Sequence, residues 1–540
     1  MKKSYKTLLG LPVLAMATSL LAGCNNSRNN YAYDLDFKVD VKGQTIEMWS
    51  GFGSNINDVL DDLLKEFTRL TGVKVKYESK GGYPDCLKAV TLASTSGKYP
   101  HVVVGYPDHF ASYVKSDIIV RLDYYFENDV NNPTFEPANQ KFQISDFYSD
   151  YMVENQSIEF KENGDPYTLG VPFNKSTEVL VYNKTFFDYC QGNDGLKDKI
   201  YLPSTYAELE TVGQNILDFL RTNNVYGKIL CKDGSVKEKV SDTKQVILDL
   251  TGIHAATGGV DKNAFKPFSY DSQANLFITA IRQNGGTYTE YDKAQQKGYL
   301  AFNSDQTKSA LTALKSLYDK NIFGIPADWE EASYGSNPFK ASKTVMTLGS
   351  SAGVTNDATA GNKFQIGAAP VPVFDANKKY VISQGANLAL LDKGSREERV
   401  ASWQLIKFLS KYANGYFCSQ TGYYPSCPYA ELEGADGKAG MWANYDHDTF
   451  DGGDYVSWFN EASAPLAGTS DKIKAEAANV NLEHYIKEGQ GWIKFVDPPF
   501  PGSATIREEV ASIPQAVFYN TKSPADAIAD IYSKLKDYVR

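Results

Sequence analysis

Between Thr45 and Val104 the chain alternates strand-like and helix-like apolar patterns, and this restricts the fold more than any other feature. Thr45-Ile46-Glu47-Met48-Trp49 reads as a short strand closed by Ser50-Gly51-Phe52-Gly53. Ile56, Val59, Leu60, Leu63, Leu64, Phe67 and Leu70 then hold a helical period, which predicts a helix capped by Ser54 or Asn55 and stopped by Gly72. Val73, Val75 and Tyr77 follow, facing one way while lysines face the other. Gly81-Gly82-Tyr83-Pro84 turns the chain into a second helix through Leu87, Val90 and Leu92, and His101-Val102-Val103-Val104 forms an apolar strand. A helix between successive strands allows them to run parallel, so the segment predicts a parallel sheet covered by helices.

The rest of the chain extends this pattern. Thr205 to Leu220, Gln273 to Gln283 and Gln306 to Tyr318 have helical spacing, and Gly/Asn/Asp clusters separate them. Strands are predicted at Thr344 to Leu348, Gln365 to Val373 and Asn387 to Leu391. Helices are predicted from Ser395 to Leu409 and from a Ser523 cap to Tyr538, with Pro524 at the first helical position. With 540 residues, 42% of them hydrophobic, the chain can fill more than one core. An α/β protein of at least two lobes is expected.

A net charge of −10 without basic clusters excludes nucleic acid as a partner, because that binding rests on Lys and Arg neutralising phosphates. The 36 tyrosines offer flat apolar faces with a hydroxyl, a surface suited to sugars. At the N-terminus, Lys2, Lys3 and Lys6 precede an apolar stretch from Leu8 to Leu21, which reads as a signal peptide over residues 1–23. Leu21-Ala22-Gly23-Cys24 resembles the lipobox of bacterial lipoproteins, so Cys24 is expected to carry lipid. Residues 24–43 would then be a polar tether holding the protein on the extracytoplasmic face of the cell membrane. No other run approaches membrane-spanning length.

The remaining cysteines are Cys86, Cys190, Cys231, Cys418 and Cys427, an odd number, so they cannot all pair within the chain. Cys418 and Cys427 are spaced to close a small loop. The five histidines are dispersed and there is no C-x-x-C, so no metal or cofactor site is expected. The acidic run from Asp446 to Asp454 lacks the alternating spacing of an EF-hand and reads as a solvated loop.

Several segments, in order, resemble the family 1 extracellular solute-binding proteins of ABC importers. They are the opening from Thr45 to Tyr77, Leu169 to Lys184, Pro203-Ser204-Thr205-Tyr206-Ala207-Glu208-Leu209, Gly385 to Leu390, and Thr421-Gly422-Tyr423-Tyr424-Pro425. The resemblance implies a two-lobed, type II periplasmic-binding-protein-like α/β fold with a ligand cleft between lobes joined by crossing segments. Lobe I would hold 44–172 plus 349–392, and lobe II 173–348 plus 393–540. The implied function is capture, without chemistry, of a carbohydrate or polyol phosphate by a monomer that delivers it to a membrane permease. An oligosaccharide or neutral sugar is the alternative ligand.

Within that family the motifs are most similar to those of glycerol-3-phosphate-binding members. Lys80-Gly81-Gly82-Tyr83 resembles K-G-x-Y and implies a ligand-bonding Tyr83. Pro172-Phe173-Asn174-Lys175-Ser176-Thr177 implies a role for Ser176. Gly349-Ser350-Ser351-Ala352-Gly353 implies Ser350 and Ser351, and Gly385 falls on a glycine whose backbone approaches the ligand. Tyr423 and Arg507 complete the set, with Arg507 on the phosphate at the opening of a helix. Two positions depart from the pattern. Pro107 replaces an acid, leaving Asp108 one step on, and Ser269-Tyr270-Asp271-Ser272 stands where a Trp-rich stretch is expected, leaving Tyr270. Glu178 reads as solvating the strand after the crossing.

Gly349-Ser350-Ser351-Ala352-Gly353 also fits the G-x-S-x-G elbow of serine hydrolases, with Ser351 as nucleophile and Asp446, His447 and His484 downstream. That motif needs a helix directly after the serine, and Val354 to Asn362 is a poor helix former. A binding protein is therefore the expectation.

Overall fold

The computed structural model describes residues 33–136, 141–331, 334–358, 364–428, 469–487, 489–536 and 538–539. The segments read as signal peptide and lipobox, with Cys24, lie outside the described residues, as do Asp446 and His447.

The chain opens as its apolar pattern predicts. Strand β1 (Thr45–Ser50) buries Ile46, Met48 and Ser50 on one side. Helix α1 (Ser54–Thr71) buries Leu60, Leu63, Leu64 and Phe67. Its N-cap is Gly53, one residue before the expected Ser54 or Asn55, and no side chain caps it. Gly72 ends the helix at φ 71°, its amide reaching Thr68 O, a left-handed conformation that glycine adopts without steric cost. Strand β2 (Lys74–Ser79), helix α2 (Tyr83–Ser94), strand β3 (Val102–Gly105) and helix α3 (Pro107–Lys115) follow. Strand β4 (Val171–Ser176) leads, across the single residue Thr177, into strand β5 (Glu178–Asn183).

Beyond that crossing the chain builds a second sheet from β5, β6 (Phe268–Tyr270), β7 (Phe323–Gly324), β8 (Met346–Ser350) and β9 (Ile366–Ala369). It returns to the first sheet as β10 (Gln384–Leu390). The first sheet has the order β2-β1-β3-β10-β4 and the second β7-β6-β8-β5-β9. Strands β1, β2 and β3 are mutually parallel, while β10 runs antiparallel between β3 and β4.

Alternation along the strands explains why the first sheet is covered on both faces. Val102, Val104, Leu388 and Leu390 face a core with Leu60, Phe67 and Trp403. Val103, Ala389 and Leu391 face a smaller core with Val90 and Phe110. The second sheet anchors a separate, larger core that includes Val179, Leu348, Phe268, Ile506 and Ile528.

This pairing moves the expected lobe boundaries. β8 and β9 flank β5 in antiparallel register, Leu348 opposite Leu180 and Ala368 opposite Val181, so 349–382 belongs with the second lobe rather than the first. Helices Arg396–Lys407 and Asn414–Thr421 pack on the first core through Trp403, Leu405 and Phe417, so that stretch belongs to the first lobe. The first lobe thus holds the described residues of 33–176 and 384–428, and the second those of 178–382 and from 469 on. Ile473, Val510 and Ile528 place those last residues on the second core. Phe37 and Val41, in the stretch read as tether, are buried in the first core, so the tether reading fails for that part.

The lobes touch. Lys494 Nζ lies 3.3 Å from the Asp150 carboxylate, and the Tyr291 ring stacks on Phe160 with centroids 6.4 Å apart. Cys418 and Cys427 are both free and buried, so they do not close a disulfide loop, and the other three cysteines described are also free. No helix among the described residues is long and apolar enough to cross a membrane.

Candidate functional site

A cavity of about 410 Å³ lies between the lobes. The first lobe contributes Tyr83 and Pro84 from the start of α2, and Tyr106, Asp108 and His109 from the start of α3. The second contributes Glu178, Asp271, Asn275, Tyr288, Ser350, Asp357, Asp497 and Arg507, among others. The crossing residues Ser383 and Gln384 line it as well. Loops at the ends of sheet strands meet here, the usual place for ligands in open α/β folds.

Of the residues singled out from the sequence, Tyr83, Asp108, Ser350 and Arg507 line the cavity. The Tyr83 hydroxyl accepts from Asn174 Nδ2 at 3.1 Å, and its ring packs edge-on against Tyr106, centroids 4.8 Å apart. Asp108, in the first turn of α3, accepts at Oδ1 from the His109 amide at 2.9 Å. Ser350 Oγ donates to Ser176 Oγ at 3.3 Å.

The others stand one layer back. Ser176 is buried beneath Ser350. Tyr423 is half-buried, stacked on Phe417 at 5.8 Å, and does not line the cavity. Tyr270 is buried and donates its hydroxyl to Glu178 Oε2 at 2.5 Å. Ser351 is 1% exposed, and its Oγ accepts from the Thr177 amide at 3.1 Å. A 3₁₀ turn, Ser351–Asn356, follows it instead of the α-helix that a nucleophile elbow requires, and His484 does not line the cavity. Gly385 does not reach the cavity either: its φ of +89° serves a close approach to the β4 backbone.

Arg507 sits in the last turn of helix Ser503–Val510 rather than at its opening, so the helix N-terminus does not reinforce it. Its Nη2 donates to Asn275 Oδ1, and Asn275 Nδ2 in turn donates to Glu178 Oε1 at 2.8 Å. No carboxylate among the described residues lies within ion-pair distance of this guanidinium.

Glu178 corrects the sequence reading outright. It is 1% exposed, not solvated. Burial pushes its carboxyl up to about 7, against the opposing pull of its bonds to Tyr270 and Asn275 and the field of Arg507. Burial likewise raises Asp271 to about 6, and burial together with the Asp271 charge raises Asp357 well above the carboxylate range. A glutamate beginning the apolar run Val179-Leu180-Val181 directly after a crossing was the available signal for this site. Asp497, Tyr288 and Thr289 carried none, because they meet the cavity only through tertiary packing.

A raised carboxyl ties stability to pH with a definite sign. Glu178 stabilises the fold fully below about 4.5, its ordinary value, and that contribution is lost as pH rises through about 7. The amount is about 3 kcal/mol. Asp271 adds a loss in the same direction from 3.8 to about 6. Urea unfolding at a series of pH values should show stability falling over this window. Glu178→Gln, which can still bond Tyr270 and Asn275, should flatten the upper part of the curve. An identical slope in the variant would remove Glu178 as the cause.

The comparisons with known proteins agree with this architecture. The family model described as "Bacterial extracellular solute-binding protein" matches residues 62–447. Among solved structures, UgpB from Mycobacterium tuberculosis, in complex with glycerophosphocholine, superposes with a TM-score of 0.61 at 17% identity, covering 92% of this chain and 98% of that one. The GacH receptor of Streptomyces glaucescens, solved unliganded and with acarbose, gives 0.58 at 16% identity, again over 92% and 98%. Maltose-bound MalE3 of T. maritima gives 0.58 at 14% identity, over 92% and 100%. No curated protein matches the chain significantly by sequence.

Proposed function

The chain belongs to the bacterial extracellular solute-binding proteins, and on that premise we propose that it captures a neutral carbohydrate between its lobes for uptake by a membrane ABC permease. One observation carries the choice of ligand. Among the described residues, the cavity wall holds six carboxyl groups, from Asp108, Glu178, Asp271, Asp357, Asp497 and Glu508, against the single guanidinium of Arg507. A sugar hydroxyl donates to such carboxylates, and protonated ones donate back to its oxygens. An added phosphate would be repelled by the ionised ones. Tyr83, Tyr106 and Tyr288 supply the apolar faces that a pyranose ring can cover. Described residues of one chain line the cavity from both lobes, which supports a monomer as the capturing unit.

A polyol phosphate such as glycerol-3-phosphate is the second reading, favoured by Arg507 having no carboxylate at ion-pair distance among the described residues. Thermal unfolding against maltose, maltotriose, tagatose, glycerol-3-phosphate and glycerophosphocholine separates the two, since a ligand that binds only the folded state raises Tm. A rise with a neutral sugar and none with glycerol-3-phosphate is expected. The reverse pattern overturns the neutral-sugar reading and supports the phosphate.

The sequence around Cys24 supports a lipid anchor on the extracytoplasmic face of the membrane. Cys24→Ala should then move the protein from the cell pellet to the medium, as read by immunoblotting of the fractions. Retention on the cells would contradict the anchor.

A further inference from the structure

One wall of the cleft holds polar atoms that no described residue satisfies. Tyr288 Oη, Thr289 Oγ1, Ser383 Oγ, Gln384 Oε1 and Asp497 Oδ2 are all buried without a hydrogen-bond partner among the described residues. All five residues line the cavity. Buried polar groups in folded proteins are almost always paired, so five orphans on one wall mark a place where a partner belongs.

They come from three separate segments. Tyr288 and Thr289 lead into the strand Thr289–Asp292, Ser383 and Gln384 form the second crossing, and Asp497 follows the strand Trp492–Phe495. The last two segments are held together by parallel pairing of Lys379–Ile382 with Trp492–Phe495 and by the Ser383 amide on Phe495 O at 2.8 Å. The wall is therefore built rather than incidental.

Its chemistry is specific. Arg282 Nη2 lies 3.3 Å from Asp497 Oδ1, which fixes the carboxylate and leaves Oδ2 to accept from a ligand. The Tyr288 and Thr289 hydroxyls each donate and accept, and Gln384 Oε1 only accepts. The Tyr288 hydroxyl lies in the fields of both Asp497 and Arg507, so this wall adjoins the Arg507 end of the cleft.

We infer that Asp497, Tyr288 and Thr289, with Ser383 and Gln384 at the crossing, form a diol-binding subsite that selects ligands presenting neighbouring hydroxyls at this end. The inference rests on the neutral-carbohydrate reading and deepens it. One ligand hydroxyl donates to Asp497 Oδ2 and the next bridges Thr289 and Tyr288. A carboxylate or phosphate is refused here by the Asp497 charge. Because Ser383 and Gln384 belong to a segment that crosses between the lobes, filling the subsite also ties the ligand to that crossing.

The test uses the neutral sugar from the maltose, maltotriose and tagatose panel that raises Tm most, together with its monodeoxy analogues. Calorimetry is run on the wild-type protein, on Thr289→Val, which keeps the side-chain shape, and on Asp497→Asn, with unchanged circular dichroism confirming the fold. One deoxy analogue should bind the wild type at least tenfold more weakly than the parent sugar. The same analogue should lose little further in Thr289→Val or Asp497→Asn, because the missing hydroxyl and the missing side chain remove one interaction. If both variants bind the parent sugar as tightly as the wild type, or every deoxy analogue loses equally in all three proteins, the subsite is overturned. If no sugar of the panel binds the wild type, the carbohydrate reading itself fails, an outcome distinct from loss of the subsite alone.

Discussion

Gly385→Ala should unfold the first lobe at urea concentrations that leave the wild type intact, with a loss of more than about 4 kcal/mol. Gly385 lies in β10 at φ +89°, where a side chain is strained by about 1–2 kcal/mol before any contact is made. A Cβ there would stand 1.8 Å from Asn174 O and 2.7 Å from Lys175 Cα. Both are backbone atoms of β4, so the strands must part. Parting them breaks more than the ladder. Gly385 O accepts from Lys175 Nζ at 3.0 Å, and that buried ammonium is also paired with Glu154. Leaving such a pair half-made strands a charge away from water. The adjacent Gln384 lines the cavity, so any variant that survives should also bind ligand poorly. A urea midpoint within error of the wild type would show that β4 and β10 can separate cheaply, contrary to this packing.

Arg507→Ala is the second large effect, and its size depends on the ligand. Arg507 holds Asn275, which holds Glu178, so removing the guanidinium takes away a donor and loosens the carboxyl behind it. For a neutral sugar the lost charge-assisted bonds are worth about 2–3 kcal/mol, a weakening of roughly 30- to 150-fold. For a polyol phosphate the anion would be left among six carboxyl groups without its cation, and affinity should fall by more than about 1000-fold. Arg507→Lys should recover part of the loss for a phosphate, where a point charge helps, and little for a sugar that needs the planar fork. Calorimetry of both variants reads the difference. Unchanged affinity in Arg507→Ala for every ligand would remove this residue from the site.

What the sequence carried, and what it withheld, follows from the range of each interaction. The strand–helix alternation over 45–105 was legible because Leu60, Leu63, Leu64 and Phe67 repeat at helical spacing and the sheet faces alternate residue by residue. The lobe boundaries were not legible. β8 and β9 look like strands of either sheet until their antiparallel register with β5 assigns them to the second lobe. The site divides in the same way. Tyr83, Ser350 and Arg507 were found through short motifs, Asp108 at a departure from one, and all four line the cavity. Ser176 and Tyr423 were found by motifs and Tyr270 at a second departure, yet they support the wall from behind, since a motif does not say which layer a side chain occupies. Asp271, Asp357 and Asp497 reach the cavity only through packing of distant segments, and they give it its carboxyl-rich character.

That character makes capture of a neutral sugar between closing lobes the central claim, and solution scattering with calorimetry tests it most directly. The wild-type protein is titrated with the panel sugar that raises Tm most, and its radius of gyration is followed. The account predicts a saturable compaction whose midpoint matches the calorimetric Kd, because the ligand bridges Tyr83 and Asp108 on one lobe to Glu178 and Arg507 on the other only when the lobes meet. A sugar that binds tightly while the scattering curve stays unchanged would place its site outside the cleft and contradict the account.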